Sequence, residues 1–191
     1  MTKQLKNRIR LSIAVLLVLF AALSRLIPHL PNFTPIGAMA LFGAAYFSNR
    51  IVAFAIPLIS LWISDLLLNN LVYSIYFDGF VWFHSGFYWS YGSIILIGFL
   101  GHFILKKIKF KNVLLASLSA STLFFIVSNF GVWMSSFLYT KDLAGLTTCY
   151  VAGIPFFGNM VMGDLFYSAL LFGSYEFMQR RIPAMQLEKV R

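Results

Sequence analysis

Six apolar runs follow one another along the chain, at 11–27, 35–48, 51–76, 88–105, 113–138 and 153–178, with short polar connections between them. A helix crosses the hydrocarbon core of a bilayer with about 20 apolar residues, range roughly 17–25. All but the run at 35–48 reach that length. Only 11% of the 191 residues are charged and 60% are hydrophobic, with mean hydropathy +0.81. A soluble domain carries about 25% charged residues, so the sequence predicts an all-α integral membrane protein. The length suits one membrane domain, residues 1–191, with no separate soluble part.

The short run begins at Thr34-Pro35, which reads as a helix N-cap followed by proline at the first helical position. Charge placement argues for counting it as a span. The basic clusters are Lys3/Lys6/Arg8/Arg10, Arg50, Lys106/Lys107/Lys109/Lys111 and Arg180/Arg181. Cytoplasmic loops are enriched in Lys and Arg, and six spans with both termini cytoplasmic put every cluster on that side. The opposite connections, 28–34, 77–87 and 139–152, hold only Lys141 among basic residues. The expectation is therefore a six-transmembrane-helix bundle.

The net charge of +9 sits in short groups beside the spans, so no nucleic-acid partner is expected; the partner of these residues is the lipid bilayer. The first run follows a basic KNRIR segment, but SRLIPHLPNF is a poor cleavage region, which favours a retained helix over a signal peptide. Cys149 is the single cysteine, which excludes an intrachain disulfide and any Cys-based metal motif. His29 and His102 fall at opposite membrane faces, so no histidine metal site is expected. No HExxH, GxSxG or phosphate-binding loop occurs, and the chain is expected to be neither an enzyme nor a cofactor carrier.

Against this background the polar residues inside the runs stand out. A carboxylate at bilayer depth costs roughly 2.5–3.5 kcal/mol on insertion scales unless paired, neutralised or facing a polar cavity. Asp65 and Asp164 are two such residues. Counting along each helix places Arg25, Asp65, Asn69, Asn70, Asn129 and Asn159 in the outer half, with Asp164 nearer the midplane. Arg25 and Asp65 are read as a structural ion pair. Asn129, Asn159 and Asp164 are read as the floor of a ligand site, although such amides also serve as interhelical hydrogen-bond glue. The stretch 76–91 interleaves nine aromatic rings with Asp78 and His84. Trp82, His84, Trp89 and Tyr91 are assigned to the walls of that site, since aromatic walls with a few directed polar groups hold small organic molecules. An interfacial aromatic belt is the competing reading of the same rings. Gly37, Ala40 and Ala44 share a face of the second helix, a small-residue pattern that suits packing within the bundle or docking of a partner's helices.

Three segments carry a resemblance: PNFTPIGAMALFGAAYF at 31–47, SNFGVW at 128–133 and CYVAGIPFFGNMVMGDLFY at 149–167. They resemble an uncharacterised bacterial family assigned to membrane transport, and the architecture is similar to the substrate-binding (S) components of energy-coupling-factor vitamin transporters. The resemblance implies a bacterial inner-membrane protein that captures a small vitamin-like molecule for uptake. It also implies a membrane coupling subunit with two ATPase subunits as partners. A non-transporting accessory or scaffold subunit of a larger membrane complex is the principal alternative, and an intramembrane enzyme or proton-coupled carrier a further one.

Overall fold

The computed structural model describes residues 2–186, so the expected domain 1–191 extends past both described ends. Its helices are α1 (Lys3–Leu23), α2 (Ile36–Tyr46), α3 (Arg50–Leu67), α4 (Phe87–Ile104), α5 (Phe110–Ser135) and α6 (Leu143–Arg181), and no strand occurs among the described residues. Helices are what the bilayer demands, because hydrocarbon offers no water to backbone N–H and C=O groups.

Local chemistry sets the helix starts. The Thr2 hydroxyl accepts from Leu5 N–H at 3.4 Å before α1. Asn49 Oδ1 accepts from Ile51 and Val52 N–H at 2.8 and 3.3 Å before α3. Asp142 Oδ1 accepts from Gly145 N–H at 2.7 Å before α6. That bond, with the Thr140 hydroxyl, holds the exposed Asp142 carboxyl below the ordinary aspartate range. Helix α4 follows Gly86, whose φ of +75° is a left-handed conformation that glycine adopts without a Cβ clash.

Five helices are long and apolar enough to cross a membrane, counting α3 with its π-helical continuation Leu68–Val72. The run at 35–48, counted from the sequence as a short sixth span, forms the eleven-residue α2. At 1.5 Å per residue it is about 16 Å long, roughly half the hydrocarbon thickness. It lies inside the bundle. Helix α2 touches all five other helices, and residues 36–43 are all buried. A helix that is apolar on every side belongs in an interior, and this one fills the middle of the molecule. Its C-terminal rings join the core: Phe42, with no exposed surface, meets Phe172 and Tyr175 edge-on at 5.5 Å.

Close approach needs small residues. A methyl at Gly43 would come within 2.5 Å of the Ala53 carbonyl on α3, and one at Gly98 within 2.4 Å of the Phe54 ring. Gly37 and Ala40 are likewise spent on internal packing, and Ala44 faces Gly101 of α4. Packing within the bundle thus accounts for Gly37 and Ala40, which are buried, while Ala44 is only partly covered.

At 39 residues α6 runs well beyond one membrane thickness, about 58 Å by its rise. The connection expected at 139–152 is therefore helical from Leu143 onward. Helix directions alternate from α1 to α6. Arg8 and Arg10 (α1), Arg50 (α3), Lys106 to Lys111 (between α4 and α5) and Arg180/Arg181 (α6) consequently gather at one end of the bundle.

Candidate functional site

The end away from the basic residues is organised around two buried carboxylates. Arg25 sits on the single 3-10 turn Ser24–Leu26 that finishes α1. Its Nη1 donates to Asp65 Oδ1 and to the Ser64 hydroxyl, both at 2.6 Å, and the two charged side chains are 12% and 7% exposed. Tyr91 on α4 donates its hydroxyl to Asp65 Oδ2 at 3.0 Å, and His84 Nε2 lies 4.0 Å from the same oxygen. Asp65 thus ties α1, α3 and α4 together. Asn70 secures the aromatic loop beside it, bonding the Val81 backbone through both its amide nitrogen (2.9 Å) and its oxygen (2.7 Å).

Asp164 does a different job, deeper in the bundle and only 2% exposed. It accepts from the Ser121 hydroxyl on α5 at 2.6 Å and from Ala38 N–H of α2 at 3.2 Å. Helix α2 has no side-chain cap of its own: Pro35 occupies the N-cap position, not Thr34 as expected from the sequence. A carboxylate from α6 supplies what the local sequence lacks, at the end where backbone N–H groups are unpaired and the helix dipole favours negative charge. The neighbouring glycine explains the Gly163-Asp164 pair, because a Cβ at Gly163 would come within 2.8 Å of Thr34 N. Gly163 lets the segment before α2 lie against α6, and Asp164 then caps the helix that follows.

Between these two carboxylates and the end of the bundle lies a cavity of about 500 Å³, within the range of roughly 300–1,000 Å³ usual for small-molecule sites. Arg25 from the turn that ends α1, Asn32 and Thr34 from the connection that follows, and Ile36 at the start of α2 form one side. Ser90 of α4 and Phe124, Ser128, Asn129 and Val132 of α5 form another, and Tyr139 closes the rim. Helix α6 completes the wall with Cys149, Ala152, Gly153, Phe156 and Met160. No carboxylate or histidine lines it among the described residues. Arg25 Nε is buried with no hydrogen-bond partner, so the guanidinium keeps donors in reserve beyond those given to Asp65 and Ser64. Asn32 carries φ of +63°, a left-handed conformation that asparagine tolerates better than most residues.

Of the residues assigned to the ligand site from sequence, Asn129 lines this cavity; its amide donates to Phe125 O at 2.8 Å, and its Oδ1 lies beside Gly153. The others are placed elsewhere. Trp82 is 60% exposed and stacks on Trp62. His84 and Tyr91 belong to the Asp65 cluster. Trp89 packs its indole over Gly131 and donates to the Ser135 hydroxyl at 3.0 Å. Asn159 donates to Pro31 O at 3.0 Å, pinning the first connection to α6, and Asp164 caps α2. The 77–86 loop is therefore a cover over α3 and not a cavity wall.

The residues that sequence reasoning missed come chiefly from 32–36 and from hydroxyls on α4 and α5 next to predicted positions: Ser90 beside Trp89, Ser128 beside Asn129. The polar NFT stretch ahead of a uniformly apolar helix was the available signal. The rim is held by Lys141, whose Nζ donates to Trp133 O and, at 2.5 Å, to Ser136 O, capping the end of α5. Among the described residues no group of three His, Cys, Asp or Glu side chains is arranged to hold a metal.

An all-helical bundle of membrane-crossing proportions, with a cavity of small-molecule size opposite its basic end, is the class these features define. The chain belongs to the family of unknown function DUF6580, which residues 5–185 match. No curated protein and no solved structure matches it.

Proposed function

We propose that this protein is a substrate-capture subunit for uptake of a small vitamin-like molecule across the bacterial inner membrane, with the ligand held in the Arg25 cavity. The observation that carries the reading is the composition of that wall. Apolar surface from Ile36, Phe124, Phe156 and Met160 alternates with the Thr34, Ser90 and Ser128 hydroxyls, and none of these three makes a hydrogen bond inside the protein among the described residues. Hydroxyls without partners and a guanidinium with an unpartnered Nε, set beside an apolar wall, suit recognition of an organic molecule with hydrogen-bond acceptors at one end. The role proposed is binding: the polar groups of the wall are chiefly hydroxyls, the Asn129 amide and a guanidinium already paired with Asp65. Energy comes from separate chains, a membrane coupling subunit with two ATPase subunits, since this sequence has no phosphate-binding loop.

Small molecules retained by the detergent-purified protein, read by mass spectrometry, test the reading. Ala152→Phe and Ser128→Phe fill the cavity and are expected to lower ligand occupancy at least about tenfold, equivalent to roughly 1.4 kcal/mol. Trp82→Ala, on the exposed loop, is expected to leave it unchanged. Wild-type occupancy in both filled variants would replace capture with the accessory-scaffold role.

The membrane arrangement we propose has both termini and the four basic clusters in the cytoplasm, with the chain reversing five times and α2 serving as a short, half-depth leg. The cavity then opens outward. In a Cys149→Ser background, a membrane-impermeant maleimide added to intact cells should label Asp78→Cys and spare Lys109→Cys. External labelling at 109 would overturn the orientation.

A further inference from the structure

A second cavity, of about 450 Å³, lies at the basic end, between the start of α1, the end of α2 and the last turns of α6. Arg8 and Arg10 line it with the side-chain amides of Gln4, Asn7 and Gln179, while Leu11 and Phe47 supply an apolar side. No carboxylate borders it among the described residues, and the nearby Glu176 is engaged by the Tyr46 hydroxyl at 2.7 Å. Arg10 is held in place rather than free to swing away: its Nε donates at 2.8 Å to the carbonyl of Met185, a fully buried residue on the 3-10 turn after α6. Its Nη2 is nevertheless buried with no partner.

A buried guanidinium nitrogen without an acceptor is costly, and an anion removes the cost. Guanidinium groups present a fixed fork of donors that matches phosphate oxygens, and neutral amides around them add hydrogen bonds without competing charge. We propose that Arg8 and Arg10 form a phosphate-binding site at the basic end of the bundle, filled by the headgroup of an anionic phospholipid. The apolar side favours a lipid as the source, since Leu11 and Phe47 give its first acyl carbons a surface that inorganic phosphate would not use. The site is separate from the Arg25 cavity, and its test is independent of the capture function.

Full-length protein, stripped of co-purifying lipid in mild detergent, is titrated with phosphatidylglycerol or phosphatidylcholine and read by native mass spectrometry. Inorganic phosphate is tested in parallel by its effect on thermal unfolding. One phosphatidylglycerol should be retained at a concentration at least about fivefold below that needed for phosphatidylcholine. Arg8→Gln and Arg10→Gln should each remove that preference. If Arg10→Gln fails to fold because Met185 is released, Arg8→Gln decides the result alone. Stabilisation by inorganic phosphate that the variants lose would support the site with a soluble phosphate as its source. Equal retention of both lipids with no effect of inorganic phosphate, or an undiminished preference in folded variants, would overturn the proposal.

Discussion

Asp65→Ala is expected to destabilise the bundle by about 3–5 kcal/mol, the usual cost of removing one member of a buried ion pair. The substitution strands the Arg25 guanidinium, which has donated Nη1 at 2.6 Å, and leaves the Tyr91 hydroxyl without its acceptor at 3.0 Å. Three helices lose their common tie at once. Arg25→Ala should cost a similar amount by leaving an unpaired carboxylate. The double variant should fall close to either single one and not to their sum, because the second removal also relieves the stranded charge. Unfolding of the four proteins in one detergent closes this cycle, and simple additivity would show that the pair contributes nothing as a pair. His84→Ala is the internal control. Its nitrogen is 4.0 Å from Asp65 and its side chain is one-third exposed, so an effect within about 0.5 kcal/mol is expected.

Asp164→Ala should be comparably damaging for a separate reason. Ala38 N–H loses its acceptor in the buried interior, while Ser121 Oγ–H gives up its 2.6 Å bond and falls back on the Ser117 carbonyl at 3.1 Å. A stranded buried donor costs about 1–3 kcal/mol. The Ala38 amide belongs to the first turn of α2, where no backbone carbonyl is available to replace the carboxylate. Gly37→Ala attacks the same contact from the other side, since its new methyl would lie 2.4 Å from Asp164 Oδ1. Alone it should destabilise by about 1–3 kcal/mol through overpacking. Combined with Asp164→Ala it should add little, because the truncated side chain vacates the space the methyl needs. Asp164→Asn separates this role from ligand contact: a lower unfolding temperature with undiminished ligand occupancy is expected, as Asp164 does not border the Arg25 cavity. Loss of occupancy at unchanged stability would make it a binding residue instead.

The two carboxylates show where sequence reading stops. Arg25 and Asp65 could be paired from sequence because a charge at that depth needs a partner, and each had one opposite charge at matching depth on another helix. Asp164 had no such partner. Depth alone could not separate a cavity floor from an internal cap, because α6 is apolar around most of its circumference and its rotation cannot be read from periodicity. The same ambiguity governed the aromatic stretch 76–91. Its rings are interfacial by composition, but only the bonds from Asn70 to Val81 fold the loop over α3 and away from the cavity.

Hydropathy and charge, which are local properties, determined from the sequence alone that the chain is all-helical, of membrane-crossing proportions, and that its polar residues concentrate toward the end away from the basic clusters. Whether a polar residue there faces a cavity or another helix depends on helix rotation and on contacts between residues far apart in the chain. Asp164 meets Ala38 across 126 positions, Asn159 meets Pro31 across 128, and α2 is interior because five other helices close around it. Such contacts leave no periodic trace in one sequence, so the cavity wall, the trans cap of α2 and the unpartnered nitrogens of Arg25 and Arg10 were decided by tertiary packing alone.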